Sequence, residues 1–205
     1  MPSTLFVHDP EFYSAIKDID LTEVIPQPDY FGYLLRAIAF QQLSGTIGAD
    51  FHGPFLASFP IKDPTPQNIL DMPFDQFREA GLSGQKSMYM QNIAHFWIEK
   101  GITDDLLSAM PNAELIAFLT GIKGVGRWTA EMLMIFGMGR KDVFPLEDIA
   151  IQQGFVQLFG LQNLHLKELK RQMALRSENW KPHRSCAARM IWAWKAQQEA
   201  DTGSR

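Results

Sequence analysis

The sequence predicts an all-α fold. Apolar residues recur three and four positions apart, the spacing that lines one face of a helix, and the alternating β-branched runs that mark strands are nearly absent. A hydrophobic fraction of 46% with 20% charged residues, over 205 positions, supplies enough apolar surface for one good core or two small ones and argues against disorder.

The elements follow in order. A short helix is predicted near PEFYSAIKDI, and Pro26 and Pro28 break the chain after it. Asp29 is placed to cap the next helix, YFGYLLRAIAF. The stretch QQLSGTIGADFHGPFLASF sets Ile47, Phe51, Phe55, Leu56 and Phe59 on one helical stripe, the pattern of a core helix despite Pro54. Short helices follow in the proline-rich PIKDPTPQNILDMP and in PFDQFREAGL, and Ser83 opens a longer one that turns Met90, Ile93, Ala94 and Trp97 inward. A helix beginning near Asn112 ends at Gly121. After it come GIKGVGRWTAEMLMIFG, the segment RKDVFPLEDIAIQQGFVQLFG, and a C-terminal helix in WKPHRSCAARMIWAWKA with two tryptophans. There is no internal repeat.

Composition excludes several classes. A single cysteine, Cys186, rules out an internal disulfide framework and any cysteine-ligated iron-sulfur or zinc cluster. The five histidines are scattered, so no metal site is expected. The first residues, MPSTLFVHDP, lack the pattern of a secretion signal, and no run of about 18 apolar residues could span a bilayer. The expectation is a cytoplasmic protein, nucleoid-associated, or nuclear in a eukaryote, with no membrane partner. The net charge of −4 hides an asymmetry: residues 121–195 hold twelve Lys or Arg against six Asp or Glu, and the remainder holds seven against seventeen. An acidic protein of this kind can still turn a basic face to nucleic acid.

The motif carrying the most information is the glycine hairpin between two helices, Gly124-Val125-Gly126, with Lys123 and Arg127 beside it. A helix N-terminus exposes amide N–H groups without intrahelical partners and attracts anions. Glycines at 124 and 126 permit positive φ and remove side chains that would hold a phosphate away, so such a hairpin grips a nucleic-acid backbone without reading its sequence. An ordinary tight turn between packed helices has the same local pattern.

LTGIKGVGRWTAEML followed by DVFPLEDIAIQQG resembles the helix-hairpin-helix DNA glycosylase superfamily, and within it the 3-methyladenine DNA glycosylase II group. The resemblance runs from about Tyr30 to Trp194 and includes AIAFQQLS, GLSGQKSMYM and WKPHRSCAA. It implies two helical lobes with a DNA cleft between them: one from about residue 41 to 137, the other from about 1–40 together with 138–205. The short stretch before Tyr30 resembles the short, all-helical form, because long members carry a β-rich domain there.

By this resemblance Asp148 is the catalytic carboxylate, stabilising an oxocarbenium-like sugar and activating water. Glu147 is the adjacent alternative, and an Asp in that position also suits a plain helix N-cap. Related enzymes that cut the strand carry a lysine where Trp128 stands, to form a Schiff base. Trp128 cannot, which implies a monofunctional enzyme. Trp128 and Trp192 match two tryptophans of the pocket for an extruded, cationic alkylated base, although core packing explains an isolated Trp as well. Met132, one turn after Trp128, stands where long members have Tyr. Gln42 matches the wedge that fills the gap in the duplex, or is a polar helix-end residue. Ser83 and Lys86 match a DNA-holding loop, or Ser83 simply caps a helix. Arg184 is expected on the DNA backbone or on a solvated face.

The implied activity is hydrolytic release of alkylated bases such as 3-methyladenine and 7-methylguanine, leaving an abasic site in base excision repair. The alternatives are a glycosylase for deaminated or mismatched bases and a non-catalytic DNA-binding protein. The implied partner is double-stranded DNA with a damaged base; the sequence does not give the oligomeric state, and a monomer is the expectation. No organic cofactor is implied, and the one ion the resemblance suggests is a monovalent cation at the hairpin carbonyls.

Overall fold

The structure, a computed structural model, describes residues 2–26, 28–40 and 64–203. The predicted helix of residues 41–59 and the wedge candidate Gln42 lie outside the described residues. Among the described residues every regular element is helical. A 3₁₀ turn, Pro2–Phe6, precedes α1 (Pro10–Ile16) and α2 (Tyr30–Phe40). Then come α3 (Pro66–Asp71), α4 (Phe74–Glu79), α5 (Gly84–Glu99), α6 (Asp104–Ala109) and α7 (Asn112–Thr120). Beyond the hairpin, α8 (Arg127–Met132) runs into a π turn (Leu133–Gly137), followed by α9 (Ile149–Phe159), α10 (Leu166–Glu178) and α11 (Arg184–Gly203). No helix among them is long and apolar enough to cross a membrane.

The chain divides into two compact units, Pro26–Met138 and a discontinuous one made of Met1–Ile25 with Gly139–Arg205. The division falls at residue 26, where the resemblance implies a boundary near residue 40. Helix α2 packs against α5 and the π turn, because its buried face (Phe31, Leu34, Leu35, Ile38) needs the apolar partners of the middle segment.

In the middle unit α5 is the hub, packing on α2, α3 and α4 and burying Met90, Ile93, Ala94 and Trp97, as its spacing predicts. The start of α2 is held by Asp29, whose carboxylate accepts from the Gly32 amide at 2.9 Å and from Arg36 Nη1 at 3.1 Å. A Cβ on Gly32 would fall 2.1 Å from that carboxylate, so only glycine lets the cap close. The π turn, closed by the Met138 N–H on the Leu133 carbonyl at 2.8 Å, lies close to α2: a Cβ on Gly137 would come within 3.2 Å of the Tyr33 ring. The Tyr33 hydroxyl donates to the Met132 carbonyl at 3.1 Å, and burial pushes its pKa well above the ordinary tyrosine value.

The other unit is built around Trp180, which is 1% exposed and packs against Phe6, Phe12, Phe144 and Phe155. Asp9 locks the N-terminal segment into it. Its carboxylate caps α1 through the Phe12 amide, accepts from Arg176 Nη2 at 2.6 Å and Nε at 3.0 Å, and accepts from Trp180 Nε1 at 3.0 Å. Arg176 also lies over the Phe159 ring, 3.7 Å from its centroid.

Candidate active site and hairpin

Asp148 is the N-cap of α9: its Oδ1 accepts from the Ile151 amide at 2.7 Å, as the capping reading predicts. A second donor reaches the same atom from α11, the Trp192 indole N–H, at 3.0 Å. The carboxylate is 7% exposed, and both of these donors are neutral N–H groups. Its neighbour Glu147 is exposed and paired with Lys170. The two carboxylates that sequence alone leaves in competition are thus distinct, one held inside and oriented, the other spent on a surface ion pair. The loop before the cap is tied down by Gln152, which donates to the Leu146 carbonyl at 2.7 Å. It is fixed further by Ser185, which accepts from the Val143 amide at 3.0 Å and donates to the Arg140 carbonyl at 2.6 Å.

In the middle unit the hairpin between α7 and α8 has the predicted form, with one correction. Gly124 has φ +107°, but Gly126 has φ −87°, a value open to any residue. The two glycines serve different ends. A Cβ on Gly124 would lie 2.3 Å from the Tyr89 ring, whereas one on Gly126 would meet nothing within 4 Å. The bare crest at Gly126 is therefore not required by packing within the chain. Asn92, one turn beyond Tyr89 on α5, donates to the Lys123 carbonyl at 3.1 Å and fixes the hairpin from below. Sequence reasoning missed Tyr89 and Asn92: their spacing puts them on one face of α5, but nothing local shows what that face meets. Val125 is buried beneath the hairpin and Lys123 is exposed.

Trp128 stands in the first turn of α8, half-buried, and Met132 lies one turn later on the same side. Met132 is only 3% exposed and belongs to the core of its unit. Trp192 is half-buried and packs on the core around Trp180.

The residues expected on DNA separate into two groups. Ser83 is the N-cap of α5, accepting from the Lys86 amide at 3.3 Å. The Lys86 ammonium donates to the Ala39 carbonyl at 2.6 Å, closing the end of α2 instead of standing in solvent. Arg184 clamps Asp142 through two bonds of 2.7 and 2.9 Å and reaches Glu178, and its guanidinium holds the Asp142 carboxyl below the usual range. Lys86 and Arg184 thus have internal partners that a sequence does not reveal. The same holds for much of the basic excess: Arg127, Lys170, Arg171, Arg176, Lys181, Arg184 and Lys195 are all in ion pairs. The Arg127 pair runs to buried Glu131, but its own side chain is 56% exposed at the hairpin. Lys123 and Arg127 are the charges the structure brings to the hairpin.

Residues 35–182 match the family model of the HhH-GPD superfamily base excision DNA repair proteins. The chain belongs to this superfamily. It is 38% identical over 170 residues to DNA-3-methyladenine glycosylase 1 of Schizosaccharomyces pombe, covering 82% of this chain and 72% of that protein. Among solved structures it is similar to a DNA-3-methyladenine glycosidase of Bacillus halodurans, with a TM-score of 0.78 and 26% identity over 97% of this chain and 90% of that one. The S. pombe 3-methyladenine DNA glycosylase Mag1, solved in complex with abasic DNA, superimposes with a TM-score of 0.74 at 31% identity, covering 94% and 92% of the two chains.

Proposed function

We propose that this protein is a monofunctional DNA glycosylase that hydrolyses the N-glycosidic bond of alkylated bases, 3-methyladenine and 7-methylguanine among them, and leaves an abasic site. The observation that carries the reading is the state of Asp148: buried, oriented by two neutral donors, and separate from the surface pair of Glu147. The names of the relatives, a DNA-3-methyladenine glycosylase at 38% identity and another bound to abasic DNA, support the substrate class.

An N-alkylated purine carries positive charge that is neutralised as its bond to C1′ breaks, so the base departs readily. The sugar left behind is oxocarbenium-like, and the Asp148 carboxylate stabilises it electrostatically. Water then adds to C1′, losing its proton to the carboxylate or to solvent, and the products are free base and abasic site. Trp128 offers an electron-rich face to the cationic base, an attraction of about 0.5–2 kcal/mol. With no amine there to attack C1′, a Schiff-base step has no nucleophile at this position, which supports release without strand cleavage. The open crest at Gly126 suits close approach of a phosphate to the hairpin amides, with Lys123 and Arg127 alongside. The Ile122 and Lys123 carbonyls each accept one hydrogen bond and have a second lone pair, the neutral oxygen donors a monovalent cation takes.

The test is incubation with methylated, deaminated and mismatched duplexes, with chromatography of released bases and electrophoresis of the strand. Methylated purines released from an uncut strand are expected. Release confined to deaminated or mismatched substrates, or no release at all, would replace this reading by a sister specificity or by a binding protein, respectively.

A further inference from the structure

The indole N–H of Trp192 and the amide N–H of Ile151 converge on one oxygen of Asp148, from two different helices. We propose that Trp192 is a positioning residue that orients the Asp148 carboxylate, an inference that rests on the catalytic reading of Asp148. A role as a wall for the extruded base would need only its ring. The bond to Asp148 needs its nitrogen.

The packing of α9 on α11 brings this about. A Cβ on Gly154 would lie 2.6 Å from Ile191 Cγ2, so glycine at 154 lets α11 approach closely where Trp192, the next residue, reaches the start of α9. Ser185, at the start of α11, anchors the loop that leads into Asp148. The α9 cap supplies one donor, from the helix that Asp148 itself begins. A second donor on the same oxygen, from a separately anchored helix, fixes its plane.

The nature of the donors matters as well. A lysine or arginine partner would orient a carboxylate but offset the negative charge needed opposite an oxocarbenium-like sugar, as Lys170 does for Glu147. The two N–H groups that converge on Asp148 Oδ1 are neutral and supply that direction.

The experiment measures single-turnover release of 7-methylguanine from a duplex, against enzyme concentration, for wild type, Trp192→Phe, Asp148→Asn and the double variant. Phe keeps an aromatic ring and loses only the N–H. The expected result is a fall of about 10- to 100-fold in the limiting rate, an unchanged half-saturating concentration, and no further loss when Trp192→Phe is added to Asp148→Asn. Replacing Trp192 by its sulfur isostere, 3-benzothienylalanine, should lower the rate equally and carries the test if the Phe variant melts early. The proposal is overturned by a limiting rate within twofold of wild type in the isostere, by a change confined to half-saturation, or by losses that multiply in the double variant. Full turnover in Asp148→Asn is a different outcome: it removes the reading of Asp148 on which this inference depends.

Discussion

The ring of Tyr89 lies under Gly124 so closely that a Cβ there would be 2.3 Å from its Cγ. Gly124 also has φ +107°, so two independent constraints demand glycine at this position. At Gly126, two residues on, neither constraint applies.

Alanine at the two positions should therefore behave in opposite ways. Gly124→Ala is expected to cost about 2–4 kcal/mol, through backbone strain and displacement of Tyr89, and to lower Tm by about 5–15 °C. Gly126→Ala is expected to leave Tm within about 2 °C, yet to weaken binding to undamaged duplex, because its new methyl stands where a phosphate would approach. Melting curves and fluorescence anisotropy in low salt check both. Normal DNA affinity in Gly126→Ala would remove the hairpin from the interface.

Asp148 both caps a helix and is the proposed catalyst, and substitution can separate the roles. Asn keeps an acceptor for the Ile151 amide, so Asp148→Asn should stay within about 0.5 kcal/mol of wild-type stability while losing at least about 100-fold in base release. Asp148→Ala should lose the cap too, at about 1 kcal/mol. Glu147→Gln removes an exposed pair and should change neither by much, at most about 1 kcal/mol in stability. Denaturant melts alongside release assays resolve the set, and a Glu147→Gln enzyme that is inactive while Asp148→Asn turns over would reverse the assignment.

What the sequence made legible was local. The inward face of α5, the Asp29 and Ser83 caps and the hairpin depend on spacing and on turn chemistry within a few residues. Two helices escaped: α6, six residues long, and α10, whose many charges mask a stripe of only Leu169, Met173 and Ser177. The π turn has no sequence signature, and the Tyr33 ring it lies against is far away along the chain. Residue type permits positive φ at both hairpin glycines, and only the neighbours show which one uses it. Partners distant in sequence were the largest omission. Trp192 with Asp148, Arg184 with Asp142 and Lys86 with Ala39 join positions more than forty residues apart.

The Asp9 network sets an acid limit on stability. Burial raises the pKa of Asp9, but donation from Arg176, Trp180 and the Phe12 amide outweighs it, and the net effect is a lowered value. The folded pKa therefore lies below the unfolded one, near 3.8, and the group stabilises the fold above that pH. The contribution is lost as pH falls through the folded value. Asp9→Asn should cost about 1–3 kcal/mol at neutral pH and flatten the decline in stability below about pH 4, as followed by urea melts from pH 3 to 7. A variant as stable as wild type at pH 7 would show the network to be energetically idle.

The sequence offers Lys86 as part of a DNA-holding loop and Arg184 as a backbone contact or a solvated-face residue, and the structure gives each an internal acceptor. Two parallel bonds join Arg184 to Asp142 with both side chains largely shielded, at 22% and 32% exposure, so Arg184→Ala should destabilise by about 1–2 kcal/mol. Lys86→Met keeps the apolar stem and removes the ammonium from the end of α2, and should cost about 0.5–1.5 kcal/mol. If these charges act within the chain, neither change alters the salt dependence of duplex binding. Were either side chain bound to a phosphate, its removal would reduce the slope of log K against log salt by nearly one. Arg127→Ala is the contrasting case, since its side chain is 56% exposed at the hairpin, and there the slope should fall. Titrations of the three variants at several salt concentrations thus sort the basic residues into those that hold the protein together and those that meet the nucleic acid.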